Sequence, residues 1–439
     1  MKRIYGLVLM LMIAALVLCG CSMTTVDEMY KLPKRSDNFN SLQTAIDNAM
    51  TGLEYCAPLA GENRQTVHMA DLDGDRDEEF LLFAKGFEEK PLRIMVFRKV
   101  KDAYEITDTV ACNGTAFDQV EYVDMNGDGM EIVVGTQLSD QVIRTATVYS
   151  LVDGKLQERV SVNYTKFLTT DLNGDSLSEL FLLKPGVSET DNGVAELYGM
   201  HQGKMQQYNA VPMSKPVDRL KRIIQGKLDG GKMAVYIASA ADENSLITDV
   251  YTMIEQRLVN ITLSGDVGTS MQTMRDYYVY ADDIDADGVV ELPALLPMRP
   301  VQVLTGTDTH QLIRWYAMKV SGEHADKLYT YHNFAGGWYM QLESKLAERV
   351  SALNAGNTTE LYLWDKKYSS NQKIMTVYAF TGENMEELGL SDNRFILEKT
   401  DKTVYCAKLE PAAEKYGFTN ESVVYSFRLI RQDWKSGLT

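Results

Sequence analysis

Four short acidic stretches recur along the 439-residue chain, and their spacing restricts the fold more than any other feature. They read "DLDGDRDEE" from Asp71, "DMNGDGME" from Asp124, "DLNGDSLSE" from Asp171 and "DIDADGVVE" from Asp283. Their first residues stand 53, 47 and 112 residues apart, so the last gap holds two periods. Midway through that gap, "GKLDGGKMAVYIASA" keeps the frame at Asp229 but has lost the later acidic positions, which makes a degenerate fifth unit. A fixed period of about 50 residues marks a repeat architecture, in which each unit buries its apolar surface against its neighbours.

The surroundings of the stretches repeat as well. Alternating or apolar runs precede them ("QTVHMA", "DQVEYV", "TKFLTT", "YYVYAD") and β-rich runs follow ("EEFLLFA", "EIVVGTQ", "ELFLLKP", "ELPALLP"). Two more strand-like runs complete a unit, as in "LRIMVFRKV" and "AYEITDTVA". Four strands per unit predict a mainly β fold, a β-propeller of about five four-stranded repeats over residues 62–334. Residues 21–61 read as a polar tether and a short helix around "NSLQTAIDNAM", and residues 335–439 as a small α+β domain. Its strands are "GWYMQLES", "ELYLWDKK" and "KIMTVYAFTG". Its closing helix would carry Val423, Phe427, Ile430 and Trp434 on one apolar face, with Asn420 as cap and Gly437 beyond the end.

Crowded carboxylates beside a segment destined for burial call for a counter-charge. A hard cation with six to eight oxygen ligands meets that need when acidic side chains occupy alternate loop positions. In a nine-residue loop, side chains one, three, five and nine and the carbonyl of residue seven supply the oxygens. The candidate ligands are Asp71, Asp73, Asp75, Asp77 and Glu79 in the first loop and Asp124, Asn126, Asp128 and Glu131 in the second. The third offers Asp171, Asn173, Asp175, Leu177 and Glu179, and the fourth Asp283, Asp285, Asp287, Val289 and Glu291. Asp77, Leu177 and Val289 would contribute their carbonyls. Glu131 falls at position eight, one residue short, and Gly129 gives the backbone room to compensate. An EF-hand would need an acidic side chain at position twelve, where Leu82, Gly135, Leu182 and Ala294 stand. Plain Asp-Gly and Asn-Gly turns explain one such loop but not four.

The "DMNGDG", "DLNGD" and "DLDGD" cores resemble the FG-GAP and VCBS repeats, the calcium-bearing propeller blades of integrin α-subunits and of many bacterial surface proteins. The resemblance covers about five units. It implies calcium as the cofactor and a structural role for the ion. The Phe-Gly and Gly-Ala-Pro signatures of the family are absent, and position nine is Glu where the family usually has Asp.

The N-terminus places the protein. "MKRIYGLVLMLMIAALVLCGC" has a basic start and an apolar run from Ile4 to Leu18, too short to span a bilayer and shaped as an export signal. Leu18-Cys19-Gly20-Cys21 resembles the lipobox of bacterial lipoproteins, with Cys21 as the lipidated residue and residues 1–20 as the signal peptide. The expected location is the extracytoplasmic side of a bacterial membrane, held by lipid. With 61 acidic against 44 basic residues the formal charge is -17, which argues against nucleic acid partners. Beyond the signal, Cys56, Cys112 and Cys406 are odd in number and form no disulfide framework. The five histidines show no zinc spacing, and "GKLDGGKM" lacks the Ser or Thr and the helix that a phosphate-binding loop requires. The aromatic cluster from "WYAMKV" to "GGWYMQ" reads as core.

Two functions follow. One is a lipid-anchored, calcium-stiffened propeller that presents a surface to an envelope protein or carbohydrate. The other is a polysaccharide-acting lyase or glycosidase of the cell envelope, with a carboxylate pair in the propeller mouth or at the junction with the C-terminal domain. The lipobox generates the first test: mass spectrometry of the mature N-terminus is expected to find diacylglycerol on Cys21, and an unmodified Cys21 contradicts the anchor.

Overall fold

In the computed structural model the first three acidic stretches are turns between the first and second strands of successive antiparallel sheets, and the fourth leads into a further sheet. The described residues are 37–101, 103–138, 144–188, 190–301, 311–367 and 369–431. The export signal, Cys21, the tether to residue 36, Trp434 and Gly437 lie outside them.

Sheet one pairs Val67–Ala70, Glu79–Lys85, Leu92–Val100 and Ala103–Cys112, with Glu54–Tyr55 also joined to Glu79–Lys85. Sheet two is Ala116–Val123, Glu131–Gln137, Arg144–Val152 and Lys155–Tyr164. Sheet three is Lys166–Thr170, Glu179–Lys184, Val194–His201 and Lys204–Pro212. Sheet four, built from the degenerate unit, is Leu220–Lys227, Met233–Ala240, Leu246–Ile254 and Arg257–Asn260. Sheet five runs Glu291–Pro297, Gln311–Met318, His324–Asn333, Trp338–Leu342 and Phe427–Leu429. Sheet six runs Val350–Ala355, Thr358–Asp365, Ser370–Phe380, Val404–Leu409 and Phe395–Lys399. Three short helices, Ser344–Ala347, Met385–Leu390 and Asn420–Ser426, accompany it.

The second and third strands read as continuous apolar runs because both their faces are covered. In sheet two, Ile132 and Val134 pack with Leu81, Phe83 and Ile94 of sheet one, while Val133 and Val148 pack with Leu180 and Leu182 of sheet three. The same alternation carries Phe181 and Leu183 onto Val235 and Ile237, and Tyr236 onto Leu292 and Tyr316. Met340 and Trp338 then meet Leu361 and Met375 of sheet six. The free face of sheet one is closed by the helix Asp37–Ala49, whose Leu42 and Ile46 lie on Leu82, Met95 and Phe97. The fold is therefore mainly β, with antiparallel sheets packed in series. Among the described residues no apolar cluster joins sheet six back to sheet one.

Four expectations need correction. "YYVYAD" forms no strand: Asp282 makes one bridge to Glu291, and the Val279 carbonyl is taken by Arg275 Nε at 2.5 Å. The closing helix ends at Ser426, because Phe427 turns extended (φ -81°, ψ 137°) and the next residues pair with Trp338–Met340 as the edge of sheet five. Its cap is Thr419, not Asn420; the hydroxyl accepts from Ser422 N in a capping box. Sheet five thus takes strands from both sides of residue 335. In sheet four, Lys227 rather than Asp229 holds the first loop position, since its carbonyl accepts from Val290 N at 2.9 Å as the first residues of other loops do.

Trp315 and Trp338 are buried in the core, as are Cys112 and Cys406, and Cys56 is a half-buried free thiol. Phe427 carries the added edge strand by stacking on Trp338 with ring centroids 5.4 Å apart and touching Tyr405 at 5.5 Å. Phe427→Ala is expected to lower unfolding free energy by about 3–5 kcal/mol in a denaturant titration. Tyr425→Ser, at an exposed position on the same segment, should stay within about 0.5 kcal/mol.

Candidate cation-binding loops

Each acidic loop is first a hydrogen-bonded turn. Both carboxylate oxygens of Asp71 accept backbone N–H groups, from Gly74 at 2.8 Å and Arg76 at 3.0 Å. Asp171 repeats this with Gly174 at 2.7 Å and Ser176 at 2.9 Å, and Asp283 with Asp287 and Gly288, both at 3.0 Å. Asp124 accepts from Asn126 and Gly127 through one oxygen. Position five is held by the N–H of residue seven: Asp77 to Asp75 at 2.8 Å, Leu177 to Asp175 at 2.9 Å and Val289 to Asp287 at 2.9 Å. These bonds need left-handed backbone at positions four and six. Arg76, Ser176 and Ala286 adopt it at φ 76°, 73° and 61° without being glycine, a strain on the order of 1 kcal/mol each that the turn must offset.

The glutamate that ends each loop begins the next strand and is almost fully buried. Glu79, Glu131, Glu179 and Glu291 are 1%, 2%, 2% and 0% exposed. One oxygen of each accepts the N–H of loop residue two: Leu72 at 2.9 Å, Met125 at 2.9 Å, Leu172 at 2.8 Å and Ile284 at 3.1 Å. Glu131 does this from position eight, so the missing residue is absorbed in the turn at Gly129, whose φ is 139°. A Cβ there would lie 2.5 Å from the Leu72 carbonyl, which bars any side chain.

The other glutamate oxygen, Oε1, meets a different partner in each loop. Glu79 Oε1 accepts from Arg98 Nε at 3.1 Å. Glu131 Oε1 accepts from the Ser150 hydroxyl at 3.0 Å, itself held by Arg159. Glu179 Oε1 accepts from the Asn173 amide. Glu291 Oε1 is buried and has no donor among the described residues. Carboxylate oxygens of Asp71, Asp73 and Glu79 lie within 4.8 Å of one another, and so do those of Asp283, Asp285 and Glu291. Among the described residues no such acidic triad forms in the Asp124 and Asp171 loops, where position three is Asn126 or Asn173. Burial pushes the carboxyls of Glu79 and Glu179 up to about 7 and that of Glu291 up to about 8, against the bond from the loop N–H and with help from neighbouring aspartates. Glu131 is raised for the same first reason.

Sequence reasoning missed the groups that face the loops. Arg98 and Ser150 lie on third strands, opposite Glu79 and Glu131. The fourth strands of sheets one, two and three, and His324–Asn333 in sheet five, each bulge at the corresponding point. The extra residues are Thr107, Arg159, Tyr208 and Lys327. Arg159 reaches Ser150 at 3.0 Å, and Lys327 reaches Asp287 at 2.5 Å. Tyr208 bonds Asn173, and Thr107 lines the groove beside Asp75 and Arg98. The outer pairing of sheet four, which has no acidic loop, runs without a bulge. Arg98, which directly follows the apolar stretch Ile94 to Phe97, was the one available signal. The extra residues here, Thr, Arg, Tyr and Lys, share no residue type that would mark a bulge.

No family model matches the chain, and no curated protein matches it. The resemblance to FG-GAP and VCBS repeats therefore rests on the loop motif. Among solved structures the chain is similar to an exotype rhamnogalacturonan lyase, with TM-score 0.30 and 11% identity over 73% of this chain and 83% of that one. It is also similar to a Bacillus licheniformis rhamnogalacturonan lyase, with TM-score 0.29 and 11% identity over 66% and 73%. A Lactobacillus plantarum protein follows with TM-score 0.26 and 10% identity over 72% and 86%. Likenesses this distant carry no argument about the loops.

The raised glutamates set a pH dependence. A carboxyl whose folded value lies above its unfolded value of 4.5 holds its proton in the fold after the unfolded chain has released it. Its contribution is full below about 4.5 and is lost as pH climbs towards about 8. In chelator the melting temperature is expected to fall from pH 5 to pH 8, and Glu291→Gln should flatten that fall; scanning calorimetry across pH reads both.

Proposed function

We propose that this protein is a lipid-anchored, extracytoplasmic binding module whose sheets are the blades of a β-propeller and whose acidic loops take calcium as a structural ion. The observation that carries the cation is Glu291 Oε1: a buried carboxylate oxygen without a donor, beside Asp283 and Asp285. Ionised, such an oxygen costs several kcal/mol to bury uncompensated, so the carboxyl either keeps its proton or gains a positive partner. Oxygen-only ligands at a flexible turn suit calcium better than magnesium, which demands a smaller octahedral shell. In the Asp283 loop, Asp283, Asp285, Asp287 and Glu291 would hold the ion, with the Val289 carbonyl. It would supply charge compensation. Serial packing of sheets, each continuing the apolar core of the last, supports the propeller reading. The module would then offer a rigid surface to an envelope protein or carbohydrate.

One observation favours a second reading, a polysaccharide-acting enzyme. A groove of about 690 Å³ beside the Asp71 loop is lined by Asp75, Asp77, Glu78, Lys99 and Lys155. Release of new sugar ends from envelope polysaccharide would support it.

Extracellular calcium sites bind with constants near 10⁻⁴ M. One site of about 0.1 mM in about 1 mM calcium adds roughly 1.4 kcal/mol. Calcium is expected to raise the melting temperature, EGTA to reverse the rise and magnesium to reproduce it poorly. Asp283→Ala should remove the largest share, and Asp171→Ala a smaller one. Calorimetric counting that finds no bound ion would leave the loops as plain turns.

A further inference from the structure

The Asp71 and Asp283 loops have the same acidic triad but different surroundings. In the first, the Arg98 guanidinium lies among the carboxylates. Its Nη2 is 2.7 Å from Asp73 Oδ2 and 2.9 Å from Asp75 Oδ2, and its Nε is 3.1 Å from Glu79 Oε1. These are loop positions three, five and nine, the side chains that a metal ion would claim. Asp71 accepts the Gly74 and Arg76 amides just as Asp283 accepts those of Asp287 and Gly288, so the two loops differ at Arg98 and not at position one. The register explains the placement. Phe80 pairs with Phe97, so the next residues, Glu79 and Arg98, face each other across the sheet. In sheet five the residue opposite Glu291 is Ala317, whose methyl group carries no hydrogen-bond donor.

We propose that Arg98 is the resident cation of the Asp71 loop, so that this loop takes no metal ion and the cation response of the protein is centred on the Asp283 loop. This rests on the cation-binding reading above. A guanidinium keeps its charge at every physiological pH and offers donors in a planar fork, so one side chain satisfies three carboxylates at once. The ion pair is partly sheltered, with the Arg98 side chain 26% exposed and that of Glu79 2%. Lys327 is no equivalent in the Asp283 loop. It touches Asp287 alone, at the rim, and leaves Glu291 Oε1 without a donor. Its single flexible ammonium can swing away when an ion enters, whereas Arg98 is held at three points. Calcium would then tighten sheet five, whose edge is the Phe427–Leu429 strand, and leave sheet one as it is.

Hydrogen exchange read by mass spectrometry on the full mature chain tests this without relying on a variant. In wild type, millimolar calcium against EGTA should slow exchange in peptides covering 283–291 and leave those covering 71–79 unchanged. In Arg98→Met, which keeps the stem and removes the charge, peptides covering 71–79 should become calcium-dependent, and calorimetry should count one more ion than in wild type. Calcium-dependent protection at 71–79 in wild type overturns the proposal alone, as does an unchanged count in folded Arg98→Met. Absence of bound calcium from both proteins overturns the proposal together with the cation reading.

Discussion

A glutamate carboxylate sits at the start of a buried strand in four sheets and holds the N–H of the second loop residue. That bond joins the most polar part of each repeat to the most apolar. Glu79, Glu131, Glu179 and Glu291 all make it, with residues Leu72, Met125, Leu172 and Ile284 as donors. The donor residues are themselves buried, three of them at 3% exposure or less, so the bond runs through a dry region where an unmet amide would be costly. Turn, strand register and inter-sheet packing all depend on it. A one-residue slip of the strand would put the carboxylate on the wrong side and turn its apolar neighbours with it.

The loops also hold one another. The residue before the closing glutamate donates its N–H to the first residue of the preceding sheet's loop: Met130 to Asp71 at 3.2 Å, Ser178 to Asp124 at 2.8 Å and Val290 to Lys227 at 2.9 Å. Sheet four takes part through Lys227 although it has no acidic set. The contact between loops is thus made by backbone groups alone. Anything that tightens one loop bears directly on the next sheet through these bonds and through the shared apolar clusters.

On this uniform frame the repeats differ at one atom. The second glutamate oxygen is met by a guanidinium, by a hydroxyl, by an amide or by nothing. Of these partners only the guanidinium brings a positive charge to that oxygen. Bulged fourth-strand residues add a further layer, bringing Arg159, Tyr208 and Lys327 to loops that lie far away in sequence. Equivalent motifs in a repeat protein need not be equivalent sites, because the compensating charge comes from strands whose sequence is free to drift.

The residue pattern alone determined the repeat, the strand-rich units and the acidic loops. A period near 50 residues and alternate acidic positions survive in one dimension, since the residues that make them are local. Even the short second loop could be read, because Gly129 sits beside the shortened spacing. Tertiary structure decided the rest. Whether Phe427 continued a helix or joined a sheet turned on the pairing of its strand with Trp338–Met340, about 90 residues away. Whether "YYVYAD" became a strand turned on a side chain, Arg275, that takes the carbonyl a neighbouring strand would use. Above all, the partner of each second glutamate oxygen was set by Arg98, Ser150, Asn173 or the gap opposite Ala317, and all but Asn173 depend on cross-strand register. Register follows from packing on both faces of a sheet, a property of the assembled core that no single stretch of residues contains.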